Sequence, residues 1–281
     1  MKKILYFFNS IKDFDLKLSI EIVKFLKSFD VKVYCENKDL SKKLQLETYD
    51  NQEVDLVVVL GGDGTVLRYL RLYNNPTTPI FGINLGRVGA LNVANLSNYQ
   101  ELLKMYFNDQ YYKVEYLNLE GKIKFQNNEI SFNIYNDVVI HRGLSMKPLQ
   151  LKASINDGAA DFIYADGLIV ATPTGSTAYN HSAGGPILSQ NCGCYVLTPI
   201  CPQTKGFASN VISENDQLNI IIDNVLDGAN VCVDGDENYS ITEPAVITVS
   251  KANKKLVLVQ FDKDIRLYKV IYKVIDSINK N

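Results

Sequence analysis

The chain has 281 residues, 46% of them hydrophobic and 21% charged, with a formal net charge of -2. That length and apolar content suffice for two cores and argue against disorder. A balance so close to neutral supplies no overall basic field for a nucleic acid or an anionic bilayer, so neither is expected as a partner, whereas a small phosphorylated ligand needs only local donors.

In chain order, residues 2–9 combine a basic start with a short apolar run and no small-residue cleavage site before Lys12-Asp13, which reads as a buried first strand rather than a signal peptide. No apolar stretch reaches the roughly 20 residues of a spanning helix, and a cytoplasmic protein is expected. Leu18, Ile22, Phe25, Leu26 and Phe29 recur at helical spacing before a strand at 31–35, giving a βαβ opening. A strand at 54–60, a helix at 65–74, a strand at 78–84 and a helix at 97–107 continue the alternation. This predicts a doubly wound, mostly parallel sheet with helices on its faces, binding ligands at the carboxyl ends of its strands.

From about residue 111 the pattern changes to short alternating runs at 112–116, 121–125 and 130–134, separated by Asn and Gly turns, and resumes at 218–222, 229–233 and 245–249. These runs predict a β-rich, sandwich-like second domain. Residues 256–261 and a helix at 264–277 then return to the first domain. The expected organisation is therefore an α/β nucleotide-binding domain over 1–110, a β-rich domain over 111–255, and a C-terminal segment, 256–281, packing back on the first.

Gly61-Gly62-Asp63-Gly64-Thr65 lies between the apolar run 54–60 and a helix-like segment. Glycine-rich strand-to-helix turns cradle phosphate, because bare backbone can approach the anion and helix N–H groups face it. A carboxylate there repels phosphate, so Asp63 points either to a metal bridging phosphates or to a base taking a proton from an attacking hydroxyl. A tight turn with Asp63 as a helix cap accounts for the same residues. The turn lacks the Gly-Lys-Ser/Thr ending of a P-loop, and Leu67 stands where a dinucleotide GxGxxG turn requires glycine. Arg68 is placed to reach back toward a phosphate, or to be a solvated surface arginine.

A second stretch runs from Asp166-Gly167 through a short buried strand into Thr172-Pro173-Thr174-Gly175-Ser176-Thr177-Ala178-Tyr179-Asn180-His181-Ser182 and on to Gly184-Gly185-Pro186. Thr174, Ser176 and Thr177 can cap a helix and donate to phosphate, and Tyr179 offers a flat face to a base; equally, the hydroxyls can satisfy their own backbone. Ser176 lacks the flanking glycines of a nucleophile elbow. Asn136-Asp137 interrupts an apolar strand, and such a polar pair needs partners that ribose hydroxyls and an adenine amino group would supply. The five cysteines read as reduced thiols rather than a zinc site, since Cys192-Gly193-Cys194 and Cys201 are completed by no second pair, and His141 and His181 are far apart.

Taken together, Gly61–Thr65, Asn136-Asp137, the long run from Asp166 to Tyr179 and Gly184-Gly185-Pro186 resemble the motifs of the NAD kinase family, in the same order over roughly residues 54–235. The glycine turn is shared with diacylglycerol kinases and phosphofructokinases; the long second motif is not. The resemblance implies transfer of the ATP γ-phosphoryl group to the 2′-hydroxyl of the adenosine ribose of NAD, with Asp63 as general base and Gly64 allowing close backbone approach. It implies NAD contacts at Asp63, Gly64, Asn136, Asp137, Asp166, Thr174, Thr177, Ala178, Tyr179, Asn180, His181 and Ser182, with Arg68 at a phosphate and Lys147 at a nearby binding position. It further implies Mg2+ or another divalent cation delivered with ATP, and a homodimer or homotetramer.

Tyr164, Gln203, Ala208-Ser209 and Asp236 depart from the family pattern. A lipid kinase of the diacylglycerol type, or a non-catalytic dinucleotide sensor on the same scaffold, are the alternatives. Other nucleoside triphosphates or polyphosphate are open as donors.

Overall fold

Ile4 to Phe8 are buried on both faces of their strand, the pattern of a sheet covered on two sides. The computed structural model describes residues 1–86, 89–143, 147–223 and 228–262. Its strands Glu47–Thr48, Val31–Cys35, Lys2–Phe8, Leu56–Leu60, Ile80–Asn84, Leu256–Gln260 and Tyr112–Tyr116 lie side by side in that order, with Ala94–Asn95 added to Ile80–Asn84. The first six are joined by parallel pairings.

Helices cover both faces because successive strand residues point opposite ways. Ile4, Tyr6 and Phe8 share a core with Ile22, Val23 and Leu26 of helix Lys17–Leu26 and with Leu103 and Tyr106 of helix Tyr99–Phe107. Between them Phe7 points the other way, its ring 5.7 Å from that of Tyr69 on helix Asp63–Tyr73. Asp13, buried ahead of the first helix, accepts from the Leu18 and Ser19 amides and so takes up its free N-terminal donors.

Several boundaries differ from the sequence reading. The helix after the glycine turn begins at Asp63 itself rather than at 65. A short helix, Lys38–Leu44, capped by the Asn37 side chain accepting from the Leu40 amide, was not foreseen, because Leu40 and Leu44 alone give too little periodicity. The run Tyr112–Tyr116 hydrogen-bonds into the parallel sheet beside Leu256–Gln260, and its mostly exposed side chains are those of an edge strand. The helix expected at 264–277 lies outside the described residues.

Residues Tyr116–Lys255 form a compact unit distinct from the one made by Met1–Glu115 with the segment from Leu256. This second unit holds two six-stranded sheets. One runs Asn210–Ser213, Cys194–Ile200, Gly167–Ala171, Asp137–Arg142, Ala229–Val233, Glu237–Ile241; the other runs Asp161–Ala165, Leu149–Ile155, Leu218–Ile222, Ala245–Lys251, Leu119–Lys124, Glu129–Ile134. All of their paired strands are antiparallel. Val138, Ile140, Leu168, Val170, Val231 and Val233 from the first sheet share one apolar core with Leu151, Ile220, Ile247 and Ile123 from the second. The residues between them, such as Val139, Ile169 and Ala171, face the opposite side, where they pack with Leu188 and Val196.

Register brings three chain segments to one end of the first sheet. Asp137 pairs with Ala171, and Val138 pairs with Val233. The residues following Ala171 and Val233 therefore emerge beside Asp137. That placement builds the polar turn of the second unit described next.

Candidate active site

The fully buried strand Leu56–Leu60 delivers the glycine turn, and the Gly61 amide donates to the Ile83 carbonyl at 2.9 Å. A Cβ on Gly61 would stand 2.1 Å from Thr65 Oγ1, so the backbone can pass this helix start only without a side chain. Gly62 and Gly64 have open space where a Cβ would go. Among the described residues their bareness serves no packing, and it leaves the backbone approachable.

Asp63, the first helical residue, turns its carboxylate onto the segment 89–92. Oδ2 accepts from the Ala90 amide at 2.7 Å, while Oδ1 accepts from the Leu91 amide at 3.1 Å and from Asn92 Nδ2 at 2.7 Å. A Cβ on Gly89 would lie 2.0 Å from Oδ1, so glycine is what lets the acid lie against the chain. Asn92 is in turn buried against Gly82, where a Cβ would meet its Oδ1 at 2.5 Å. The sequence reading missed this cradle; the signal available was Gly86 and Gly89 following a strand that ends at Asn84. Arg68 carries its guanidinium over the Phe7 ring, 4.8 Å from the centroid, with Glu36 at 3.9 Å.

In the second unit the turn Tyr135-Asn136-Asp137 is held from both flanks. On one side Thr172 donates through Oγ1 to the Tyr135 carbonyl and through its amide to the Asn136 carbonyl, at 2.8 and 2.9 Å. A Cβ on Gly175 would stand 2.0 Å from the Asn136 carbonyl oxygen, so the loop closes on the turn through a bare residue. On the other side the carboxylate of Asp234 accepts from the amides of Tyr135, Asn136 and Asp137 at 3.1, 2.7 and 3.2 Å. Asp234 has φ 48°, a left-handed conformation that aspartate tolerates better than most residues. It is a site residue that sequence reasoning passed over.

Beside this turn lies a cavity of about 390 Å³ lined by Asn136, Asp137, Val139, His141, Ala178, Tyr179, Cys232, Asp234 and Gly235. Burial, followed by the nearby charge of Asp234, pushes the Asp137 carboxyl up to about 7. Burial also raises the Cys232 thiol, with a smaller contribution from Asp137. His141 donates from Nδ1 to the Arg142 carbonyl at 2.8 Å, an acceptor that sets which ring nitrogen carries the proton.

The hydroxyl-rich stretch divides in two. Ala178, Tyr179, His181 and Ser182 are exposed and Thr177 is half-buried. Thr174, Ser176 and Asn180 are buried, and their side chains hold the loop itself. Thr174 Oγ1 donates to Gln190 Oε1; Ser176 Oγ donates to the Pro173 carbonyl and accepts from the Leu188 amide. Asn180 donates to the carbonyls of Ser176 and Pro186 and accepts from Thr198 Oγ1 at 2.6 Å.

Asp166 sits at the opposite end of the Asp137–Arg142 strand from Asp137, 3.1 Å from Arg142 Nε. Lys147 and Tyr164 are exposed. Asp63, Gly64 and Arg68 belong to the first unit, and the remaining predicted site residues to the second.

Comparison with known proteins accounts for both halves. Residues 4–111 match the family description ATP-NAD kinase N-terminal domain, and residues 135–261 match ATP-NAD kinase C-terminal domain. An NAD kinase of Thermoanaerobacter sp. (strain X514) is 33% identical over 261 residues, covering 90% of this chain and 92% of its own, and one from Clostridium beijerinckii is 32% identical over 265 residues, covering 94% and 92%. Among solved structures, an NAD kinase from Archaeoglobus fulgidus in complex with ATP superposes with a TM-score of 0.76 at 27% identity, covering 98% of this chain and 99% of that one. A yeast NADH kinase complexed with NADH shares the fold with a TM-score of 0.87 at 23% identity, covering 98% and 88%. With both halves of its length matched and relatives aligned nearly end to end, the chain belongs to the NAD kinase family.

Proposed function

We propose that the enzyme transfers the γ-phosphoryl group of ATP to the 2′-hydroxyl of the adenosine ribose of NAD, giving NADP, with Asp63 as general base. The observation that carries this reading is the Asp63 carboxylate, fixed by three donors at the first turn of a helix that follows approachable glycine backbone. A sugar hydroxyl is a weak nucleophile, and a positioned carboxylate within hydrogen-bond reach accepts its proton as the oxygen attacks phosphorus. The O2′–P bond forms, the bond from phosphorus to the ADP leaving oxygen breaks, and the proton resides on Asp63. Gly62 and Gly64 let the reacting groups approach the main chain, and the helix N-terminus faces the phosphates.

Among the described residues no group of three or more His, Cys, Asp or Glu is arranged to hold a metal. A divalent cation delivered with the nucleotide would be held chiefly by phosphate oxygens and water. When bound, such a cation neutralises charge on the transferring group. Asn136 and Asp137, with Ala178 and Tyr179, would receive the dinucleotide in the 390 Å³ cavity; Thr174, Thr177, Asn180, His181, Ser182, Asp166, Lys147 and Arg68 complete the proposed binding set. No helix among the described residues is long and apolar enough to cross a membrane. We place the enzyme in the cytoplasm as a homodimer or homotetramer.

The test is an acceptor and donor panel on the full chain. NAD, NADH and diacylglycerol are offered as acceptors, and ATP, other nucleoside triphosphates and polyphosphate as donors. Formation of NADP from NAD and ATP is expected. Phosphorylation of lipid without conversion of NAD would overturn the reading.

A further inference from the structure

Two carboxyl groups meet at the cavity of the second unit, and the chain supplies them unequally. Asp234 collects the amides of three consecutive residues, Tyr135, Asn136 and Asp137. Among the described residues no donor reaches the carboxyl of Asp137, which is only 6% exposed and lines the cavity. Converging N–H groups favour a charged acceptor, and a buried carboxyl without donors beside a charged one cannot also ionise cheaply.

We propose that Asp234 is a positioning residue that claims every backbone donor of the turn and thereby leaves Asp137 to enter the cavity as a neutral carboxylic acid. In that state Asp137 presents one O–H donor and one carbonyl acceptor side by side. Its complement is a flat ligand edge bearing adjacent acceptor and donor atoms, such as the ring nitrogen and amino group of an adenine or the two atoms of a carboxamide. A ribose diol, which asks a carboxylate to accept twice, is the poorer match. This deepens the proposed function and rests on the dinucleotide occupying this cavity.

The surroundings agree. The other titratable or charged groups facing Asp137 among the described residues are Cys232 and Asp234 from the neighbouring strand and its turn, His141 four residues along its own strand, and Tyr179 from the loop; Asp236 stands exposed on the turn beyond. Among the described residues no lysine or arginine lines the cavity. Nothing in the walls therefore offsets a second negative charge, and the Asp137 carboxyl is raised to about 7, first by burial and then by Asp234.

The experiment is equilibrium binding of NAD to the full-length protein from about pH 6 to about pH 9 for wild type, Asp137→Asn and Asp234→Asn, with 13C NMR titration of aspartate-labelled protein free of ligand. Wild-type affinity is expected to hold on the acid side and to weaken by up to about tenfold per pH unit above neutrality as the proton is lost. Asp137→Asn, a permanently neutral donor and acceptor, is expected to keep the acid-side affinity and to lose the pH dependence. In the free protein one carboxyl should titrate near neutrality, vanish in Asp137→Asn and move down in Asp234→Asn.

Affinity that rises with pH, or loss of binding at every pH in Asp137→Asn, would overturn the proposal, because either means that Asp137 acts as a charged acceptor. A wild-type spectrum without a carboxyl titrating near neutrality would do the same. If Asp234→Asn fails to fold, wild type and Asp137→Asn decide alone. Absence of NAD binding by the wild type would count against the functional reading, while the ligand-free titration still judges the two carboxyls.

Discussion

The glycine turn of the first unit and the polar turn of the second each present an aspartate, and the two are built in opposite ways. Asp63 is half-buried and receives two amides and a side-chain amide from the segment 89–92. Asp137 is buried and receives none among the described residues, because the neighbouring Asp234 takes the three amides of its turn. Identical side chains thus acquire different chemistry from the donors the backbone aims at them: a fixed acceptor in one unit and a proton-holding acid in the other. Burial raises the Asp137 carboxyl first, and no converging N–H group offsets it as three donors do at Asp63.

The comparison breaks most visibly at Asp63. Asp63→Asn removes the proposed proton acceptor and sets an amide N–H2 against one of the donors that hold the native carboxylate. Turnover should fall by about a thousandfold, within the usual range for a lost general base, while NAD affinity stays close to wild type. Steady-state rates with a separate binding isotherm check this, and turnover near the wild-type level would remove Asp63 from the base role.

Next comes Gly89→Ala. The new Cβ cannot coexist with an oxygen 2.0 Å away, so the carboxylate must swing off its cradle. A displacement of that size in the proposed base is expected to cost about a hundredfold in kcat. Asn92→Ala deletes one of three donors and should cost about tenfold, the usual worth of one charge-assisted hydrogen bond. Equal losses in Gly89→Ala and Asn92→Ala would mean that the cradle acts as a whole rather than through position.

These variants mark the limits of what could be read from sequence. The strand, glycine turn and helix around Asp63 were legible because their signals are local: an apolar run, bare residues and helical spacing within about twenty positions. The cradle at 89–92 was not, since main-chain amides bind a carboxylate without leaving a side-chain signature. Asp234 was hidden by distance: it meets Asn136, 98 residues earlier, only because register aligns Val233 with Val138. The stretch from Thr174 to Asn180 was recognisable as a unit, yet which hydroxyls are spent inside the loop depends on Leu188, Gln190 and Thr198, and those pairings exist only once the strand Cys194–Ile200 is in place. Fold class followed from periodicity, whereas the site also needed the register.

The smallest effect sharpens the comparison in the second unit through stability rather than rate. With its folded carboxyl raised to about 7 against an ordinary value of 3.8, Asp137 holds its proton more tightly in the folded state than in the unfolded one. Below the ordinary value both states are protonated and the group is neutral in the balance. As pH climbs from there to about 7 the unfolded chain ionises first, so stability is progressively lost, and above about 7 the full cost of a buried charge is present. Asp137→Asn carries no such charge. Its urea midpoint should therefore exceed that of wild type at about pH 8 by the equivalent of a few kcal/mol, and the margin should shrink as pH falls toward about 4. The second unit's own transition is the one to follow, since two compact units need not unfold together. A margin that stays constant over this range would mean that the substitution acts through packing, and a margin that grows in acid would mean that Asp137 is a stabilised carboxylate like the acceptors around it, erasing the contrast with Asp63.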